Sequence, residues 1–190
     1  ESPLETHLYK VSINGGKAKK ITSAKGQHSV RISDKSNFII DSYSSRTVAQ
    51  KMLVLDHNGK QVQELHDAGN PMAAYEENGI EFGTIKAKDQ TTDLYYRIIK
   101  PYNFDPSKKY PVIQYVYGGP HAQMISESWQ GGASLFLHYM AQQGYIIFTI
   151  DNRGSDNRGA AFEQATFRQL GTIEMEDQLT GLDFIKSKNY

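Results

Sequence analysis

Short segments of alternating apolar and polar residues fill the first seventy positions. His7–Ile13 (HLYKVSI) alternates with period two, the spacing of a strand with one buried face, and Asn14-Gly15-Gly16 then supplies the positive φ that a tight hairpin needs. Lys17–Thr22 is the expected return strand. Ser29–Ser33, Phe38–Ser42 and Gln50–Asp56 read the same way, a second turn stands at His57-Asn58-Gly59, and Lys60–Leu65 pairs back. The unit LYKVSINGGKAKKIT returns loosely as MLVLDHNGKQVQEL about 43 residues further on, the period of a four-stranded propeller blade. Two such units cannot close a ring. An antiparallel meander of a small β domain has the same local pattern, so both readings stay open on pattern alone.

Asn70-Pro71 breaks this texture. Ile80–Ala87 and Leu94–Lys100 read as an antiparallel pair, and the prolines of PYNFDPSKKYP (101–111) end the second strand. Val112–Tyr117 (VIQYVY) and Tyr145–Ile150 (YIIFTI) are nearly continuous apolar runs, as expected of strands covered on both faces. Between them Ala133–Gln142 is expected to be a helix buried through Leu135, Phe136, Tyr139 and Met140, closed by Gly144 as its C-terminal glycine. A last helix begins after Thr172 as N-cap, with Met175, Leu179, Leu182 and Ile185 as its apolar stripe. Strand, helix, strand, helix predicts a parallel α/β sheet.

Composition narrows the function classes. The 190 residues carry 21 Lys+Arg against 21 Asp+Glu, so the formal charge is zero, which argues against a nucleic-acid binder. With a mean hydropathy of −0.57 and no apolar run of the roughly 20 residues a bilayer requires, no membrane span is expected in this segment. There is no cysteine, which excludes thiol catalysis, Cys-ligated metals and disulfides. The N-terminus has neither an initiating Met nor a signal-peptide pattern, so the chain reads as an internal fragment.

Two stretches can carry chemistry. In QYVYGGPHAQ (114–123) a strand runs into Gly118-Gly119-Pro120, at the strand end where open α/β sheets collect ligands; Tyr117 is there either a phenol donor at the strand mouth or a packed aromatic beside a turn. In DNRGSDNRG (151–159) the glycines fit no phosphate-binding fingerprint, and an Asp151–Arg153 pair holding the loop is the simpler reading. Glu174, Glu176 and Asp177 read as a solvated first turn favoured by the helix dipole. The histidines (His7, His28, His57, His66, His121 and His138) show no ligand spacing, so no metal and no cofactor is expected; His121 alone stands beside the glycine loop as a candidate ligand or base.

Three motifs in order carry a resemblance: LYYRIIKPYNFDPSKKYPVIQYVYGGPHAQ, then TIDNRGSDNRG, then QLGTIEMEDQL. On these residues the chain resembles the prolyl oligopeptidase family, in its dipeptidyl peptidase IV branch of the Bacteroides kind. The resemblance implies the C-terminal portion of a β-propeller (about two blades) over 1–71. Over 72–190 it implies the N-terminal half of an α/β-hydrolase domain, ending before the nucleophile elbow. It further implies a serine exopeptidase that releases N-terminal dipeptides with Pro or Ala second, acting on peptide substrates, homodimeric as a whole protein and periplasmic or exported. Tyr117 matches the family tyrosine whose hydroxyl stabilises the oxyanion. No serine here lies between glycines spaced as Gly-x-Ser-x-Gly, so the triad is expected outside the chain, which alone is expected to be inactive. Tyr75-Glu76-Glu77 superficially matches the family's substrate-gripping glutamates but stands at the wrong place in the chain. Rival readings are an acylaminoacyl-peptidase or prolyl endopeptidase relative, and a binding protein on the same scaffold without its nucleophile. A sheet cut after Tyr145–Ile150 is also expected to leave that strand without a neighbour and to favour self-association.

Overall fold

The structure is a computed structural model that describes residues 2–76 and 79–190, so Glu77 of the Tyr75-Glu76-Glu77 stretch lies outside the described residues. The chain divides into two compact units, Glu1–Ala74 with Ser126–Gly132, and Tyr75–Ile125 with Ala133–Tyr190.

In the first unit β1 (Tyr9–Lys10) and β2 (Lys19–Lys20) form a short antiparallel ladder, closed by Gly15 and Gly16 at φ 87° and 112°. β3 (Gln27–Ile32), β4 (Phe38–Ser44), β5 (Lys51–Asp56) and β6 (Gln61–Asp67) follow as a four-stranded antiparallel meander in chain order. The register pairs Ile39 with both Ile32 and Leu55, and Ile21, Ile39 and Leu55 form the buried core with Leu8, Val30 and Leu53 packed on it. The Asn58-Gly59 turn forms where the sequence places it; Asp56 Oδ1 accepts the Asn58 and Lys60 backbone N–H groups and so pre-shapes it. Ser126–Gly132 has no counterpart in the sequence reading. It joins this unit because the buried Glu127 carboxylate meets Lys25 (3.2 Å) and Arg46 (3.1 Å), while its N–H donates to the Leu4 carbonyl.

The second unit is built on a four-stranded sheet of β7 (Ile80–Lys86), β8 (Asp93–Ile99), β9 (Val112–Gln114) and β10 (Ile146–Ile150), in spatial order β7-β8-β10-β9. It is mixed rather than parallel, since β7–β8 and β8–β10 are antiparallel and only β9–β10 runs parallel. α1 (Leu135–Gln142), one-turn α2 (Ala160–Glu163) and α3 (Ile173–Lys186) complete it. β10 alternates between two buried faces. Ile146, Phe148 and Ile150 share a cluster with Leu94, Tyr96, Ile98 and Ile185 of α3, while Ile147 joins Ile99, Leu137 and Ala141 of α1.

Four expectations are corrected here. Tyr145–Ile150 does not lose a neighbour: β10 lies between β8 and β9, and β7 and β9 are the edges among the described strands, because the crossover through α1 returns the chain to the inner side of β9. Val112–Tyr117 is not covered on both faces; only three residues are strand, and Tyr115, Val116 and Tyr117 are exposed. α1 buries Leu137, His138 and Ala141 and exposes Leu135, Phe136 and Tyr139. Two apolar stripes satisfy helical spacing there, and packing on Ile99 and Ile147 selects the other one. In α3 the expected stripe is half exposed at Met175 and Leu179, and the face turned inward carries Glu174, Asp177, Gln178, Gly181 and Ile185.

Candidate functional site

Gly181 begins to explain that inverted helix. A Cβ built there would lie 3.0 Å from the Phe148 ring and 3.1–3.2 Å from Ile150, so glycine lets α3 lie directly on β10. The polar residues one turn earlier then reach the carboxyl ends of β9 and β10. Gln178 donates through Nε2 to the Ile150 carbonyl (3.1 Å) and to Asn152 Oδ1 (2.8 Å), and Gln114 donates to Gln178 Oε1 (2.8 Å). Asn152 in turn points its amide at the Gly118 carbonyl (3.5 Å) and the Arg153 carbonyl (2.6 Å). These three amides satisfy one another where buried polar atoms would otherwise be costly.

Asp177, fully buried, is neutralised by Arg153. Its Oδ1 accepts from Arg153 Nη2 at 2.6 Å, and its Oδ2 accepts from Nε at 2.9 Å and from the Arg153 backbone N–H at 2.8 Å. Asp89 (3.3 Å) and Glu176 (3.4 Å) complete the ring of acids around the guanidinium, which its Asp177 bonds hold above its usual range despite partial burial. The 151–155 loop is therefore held by an ion pair, but the acid is Asp177, not Asp151. Glu174 and Asp177 are likewise not a solvated first turn, and Thr172 makes no side-chain cap; its hydroxyl donates to the Gln169 carbonyl.

Asp151 has a separate task. Its two oxygens accept the Met124 and Ile125 N–H groups at 2.7 and 3.1 Å, while the fully buried Arg97 donates to the Met124 carbonyl (3.1 Å) and to Thr149 Oγ1 (3.3 Å). Burial pushes the Asp151 carboxyl up to about 6, against the pull of the two N–H donors and the Arg97 charge. Burial likewise lowers Arg97 to about 10, with Asp151 opposing. The two side chains clamp the returning end of the loop that leaves β9.

That loop presents Tyr117. The Tyr115 N–H still bonds the Phe148 carbonyl (2.8 Å), after which the chain departs from the sheet. Gly118 adopts φ 75°, and Gly119 leaves room for the Tyr117 ring, since a Cβ there would lie 3.0 Å from Cε1. Tyr117 is 59% exposed, and its hydroxyl has no hydrogen-bond partner among the described residues. The phenol is exposed three residues beyond the end of β9, with its ring lying against Gly119. Beside it an open groove of about 260 Å³ is lined by Val116, Gly118, Met175, Leu179 and Leu182. His121 stands four residues on, its Nδ1 2.8 Å from Glu163 and 3.7 Å from Asp156. Among the described helices none is long and apolar enough to cross a membrane.

Sequence reasoning singled out Tyr117 and the Asp-x-Arg-Gly loop, read the buried Asp177 as solvent-facing, and did not single out Arg97, Gln114, Asn152 or Gln178. The available signal was a charge inside an apolar run: Arg97 interrupts LYYRII, where an unpaired guanidinium could not be buried.

Residues 133–190 match the model of the prolyl oligopeptidase family, and residues 1–50 match that of the dipeptidyl peptidase IV N-terminal region. Human dipeptidyl peptidase 8 is 33% identical over 99% of the chain, which spans 22% of that relative's length. A Bacteroides ovatus protein whose crystal structure bears the provisional name dipeptidyl aminopeptidase IV is 48% identical, with a TM-score of 0.89 over 96% of the chain and 26% of its own. The Porphyromonas gingivalis dipeptidyl peptidase 4 structure is 29% identical, also with a TM-score of 0.89, over all of the chain and 27% of its own.

Proposed function

The chain is a relative of the dipeptidyl peptidase IV branch of the prolyl oligopeptidase family, and on that premise we propose that the whole protein is a serine exopeptidase releasing N-terminal dipeptides. In this reading Tyr117 donates its hydroxyl to the oxyanion of the tetrahedral intermediate. The observation that carries it is the placement of Tyr117: an exposed phenol three residues beyond the end of β9 and beside Gly119, its hydroxyl without a hydrogen-bond partner among the described residues. Oxyanion stabilisation needs a donor fixed before the charge develops, because reorientation during the reaction would forfeit the gain. The Asn152–Gln178–Gln114 amides and the Arg97–Asp151 clamp supply that fixity by holding both ends of the loop. A Pro or Ala preference at the second substrate position, a homodimer and a periplasmic or exported location belong to the same reading.

The test is Tyr117→Phe in the whole protein, assayed with a dipeptidyl p-nitroanilide. Loss of one oxyanion donor is expected to lower kcat by about 10²–10³-fold with little change in KM. An unchanged kcat in a folded variant removes Tyr117 from the mechanism.

A further inference from the structure

We propose that His121, Asp156 and Glu163 form a binding site for a divalent first-row transition cation of the zinc–manganese class. His121 Nδ1 lies 2.8 Å from Glu163 Oε1 and 3.7 Å from Asp156 Oδ1, and the three donor atoms all lie within 4.8 Å of one another. A cation holding nitrogen and oxygen ligands at roughly 2.1 Å sets neighbouring ligands roughly 3.0–3.4 Å apart. The observed spacings bracket that range, so small side-chain rotations bring all three onto one ion. One imidazole with two carboxylates selects the class: the nitrogen disfavours magnesium and calcium, and the oxygens disfavour copper(I).

Charge separates this cluster from the acidic groups gathered around Arg153 and Lys51. Asp89, Glu176 and Asp177 surround Arg153, and Glu64 and Asp67 share Lys51. Among the described residues no lysine or arginine lies within ion-pairing distance of Asp156 or Glu163; both converge on His121 alone. A divalent ion supplies the positive charge that the protein does not. The donors are also held in place without it. The His121 backbone N–H donates to the Gly154 carbonyl (3.3 Å), and Asn157 Nδ2 donates to Gln123 Oε1 (2.9 Å), so two crossings tie the 118–123 loop to the 154–163 segment. The His121 side chain is 74% exposed, which leaves an entry path and room for water in the remaining coordination positions. The ligands come from two separate segments, 118–123 and 154–163, so no compact sequence motif announces them.

A protonated His121 bridging both carboxylates has the same geometry, and metal titration separates the two. The chelator-treated chain is titrated with zinc chloride by calorimetry and with cobalt(II) by visible absorption, with light scattering in parallel. One ion per chain is expected, with cobalt d–d bands. His121→Ala and Glu163→Gln should each weaken binding by about tenfold or more, since loss of a ligand costs at least what loss of its supporting hydrogen bonds costs. The exposed-loop control His57→Ala should bind as the parent chain does. Glu163→Gln keeps the shape of the side chain and remains informative if the alanine variant fails to fold. The proposal is overturned by the absence of saturable one-to-one binding, by equal binding in both ligand variants, or by an equal loss in His57→Ala. None of these outcomes bears on Tyr117.

Discussion

Asp177→Ala should loosen α3 from the sheet of the second unit. The carboxylate is fully buried and accepts three close bonds from Arg153: two from the guanidinium at 2.6 and 2.9 Å, and one from the backbone N–H at 2.8 Å. Removing one member of a buried pair costs about 3–5 kcal/mol, because the partner charge stays in low dielectric without compensation. Here Arg153 keeps Asp89 and Glu176, both more exposed, which places the expected loss at the lower end, about 3 kcal/mol. Arg153→Met in the same background should restore part of that loss by removing the stranded guanidinium. The restoration stays incomplete, since the Arg153 N–H loses its acceptor and an unsatisfied buried donor costs about 1–3 kcal/mol. Lys88→Ala, which breaks the exposed 3.0 Å bridge to Glu176, should cost less than about 1 kcal/mol. Urea unfolding followed by backbone hydrogen exchange over 173–186 reports the change where it occurs; the single Trp129 belongs to the first unit and is the wrong probe. A loss below about 1 kcal/mol for Asp177→Ala, or no recovery in the double variant, would refute the role given to the pair.

Two further predictions concern the first unit. Gly59 and Gly15 both adopt positive φ, but a Cβ at Gly59 would lie 2.2 Å from the Ile21 carbonyl oxygen, while one at Gly15 meets nothing within 4 Å. Gly15→Ala should cost about 1–2 kcal/mol from backbone strain alone, and Gly59→Ala should lower the denaturation midpoint clearly further; equal midpoints would show that the strand next to the turn yields freely. His28 is buried and uses both ring nitrogens toward acceptors, the Asp41 carboxylate (2.9 Å) and the Ala24 carbonyl (2.8 Å), so it carries both protons. Burial pulls its pKa down, but the Asp41 and Ala24 bonds outweigh that and leave it above its ordinary value. A raised folded-state value means the pair's stabilisation is complete below the unfolded pKa of about 6.5 and is lost as pH rises through the folded value. Stability of the first unit should therefore fall on going from slightly acidic to alkaline pH, and His28→Gln should flatten that slope; a slope unchanged by the substitution assigns it elsewhere.

The regions of strong local pattern were legible in the chain. Asn14-Gly15-Gly16 and Asn58-Gly59 turn where positive φ is required, and YIIFTI is a central strand because every one of its residues from Ile146 on must be buried. Tyr117 could be singled out because it precedes two glycines at a strand end. Family kinship was legible from three ordered motifs spread over nearly half the chain. Periodicity failed in the helices: α1 offers two apolar stripes, and α3 hides acids on its inner face, so spacing alone could not set the phase of either.

What the sequence determined by itself are the properties set within a few residues: turn geometry, strand alternation, the lack of any thiol chemistry and the position of the candidate phenol. Tertiary structure decided which strand is the edge, which helix faces are buried and which charges pair. Asp177 with Arg153, and His121 with Asp156 and Glu163, are brought together from separate segments, while Arg97 and Asp151 meet on the backbone of Met124. A buried charge is tolerable only beside its partner, and the identity of that partner depends on strand order, which no local pattern encodes.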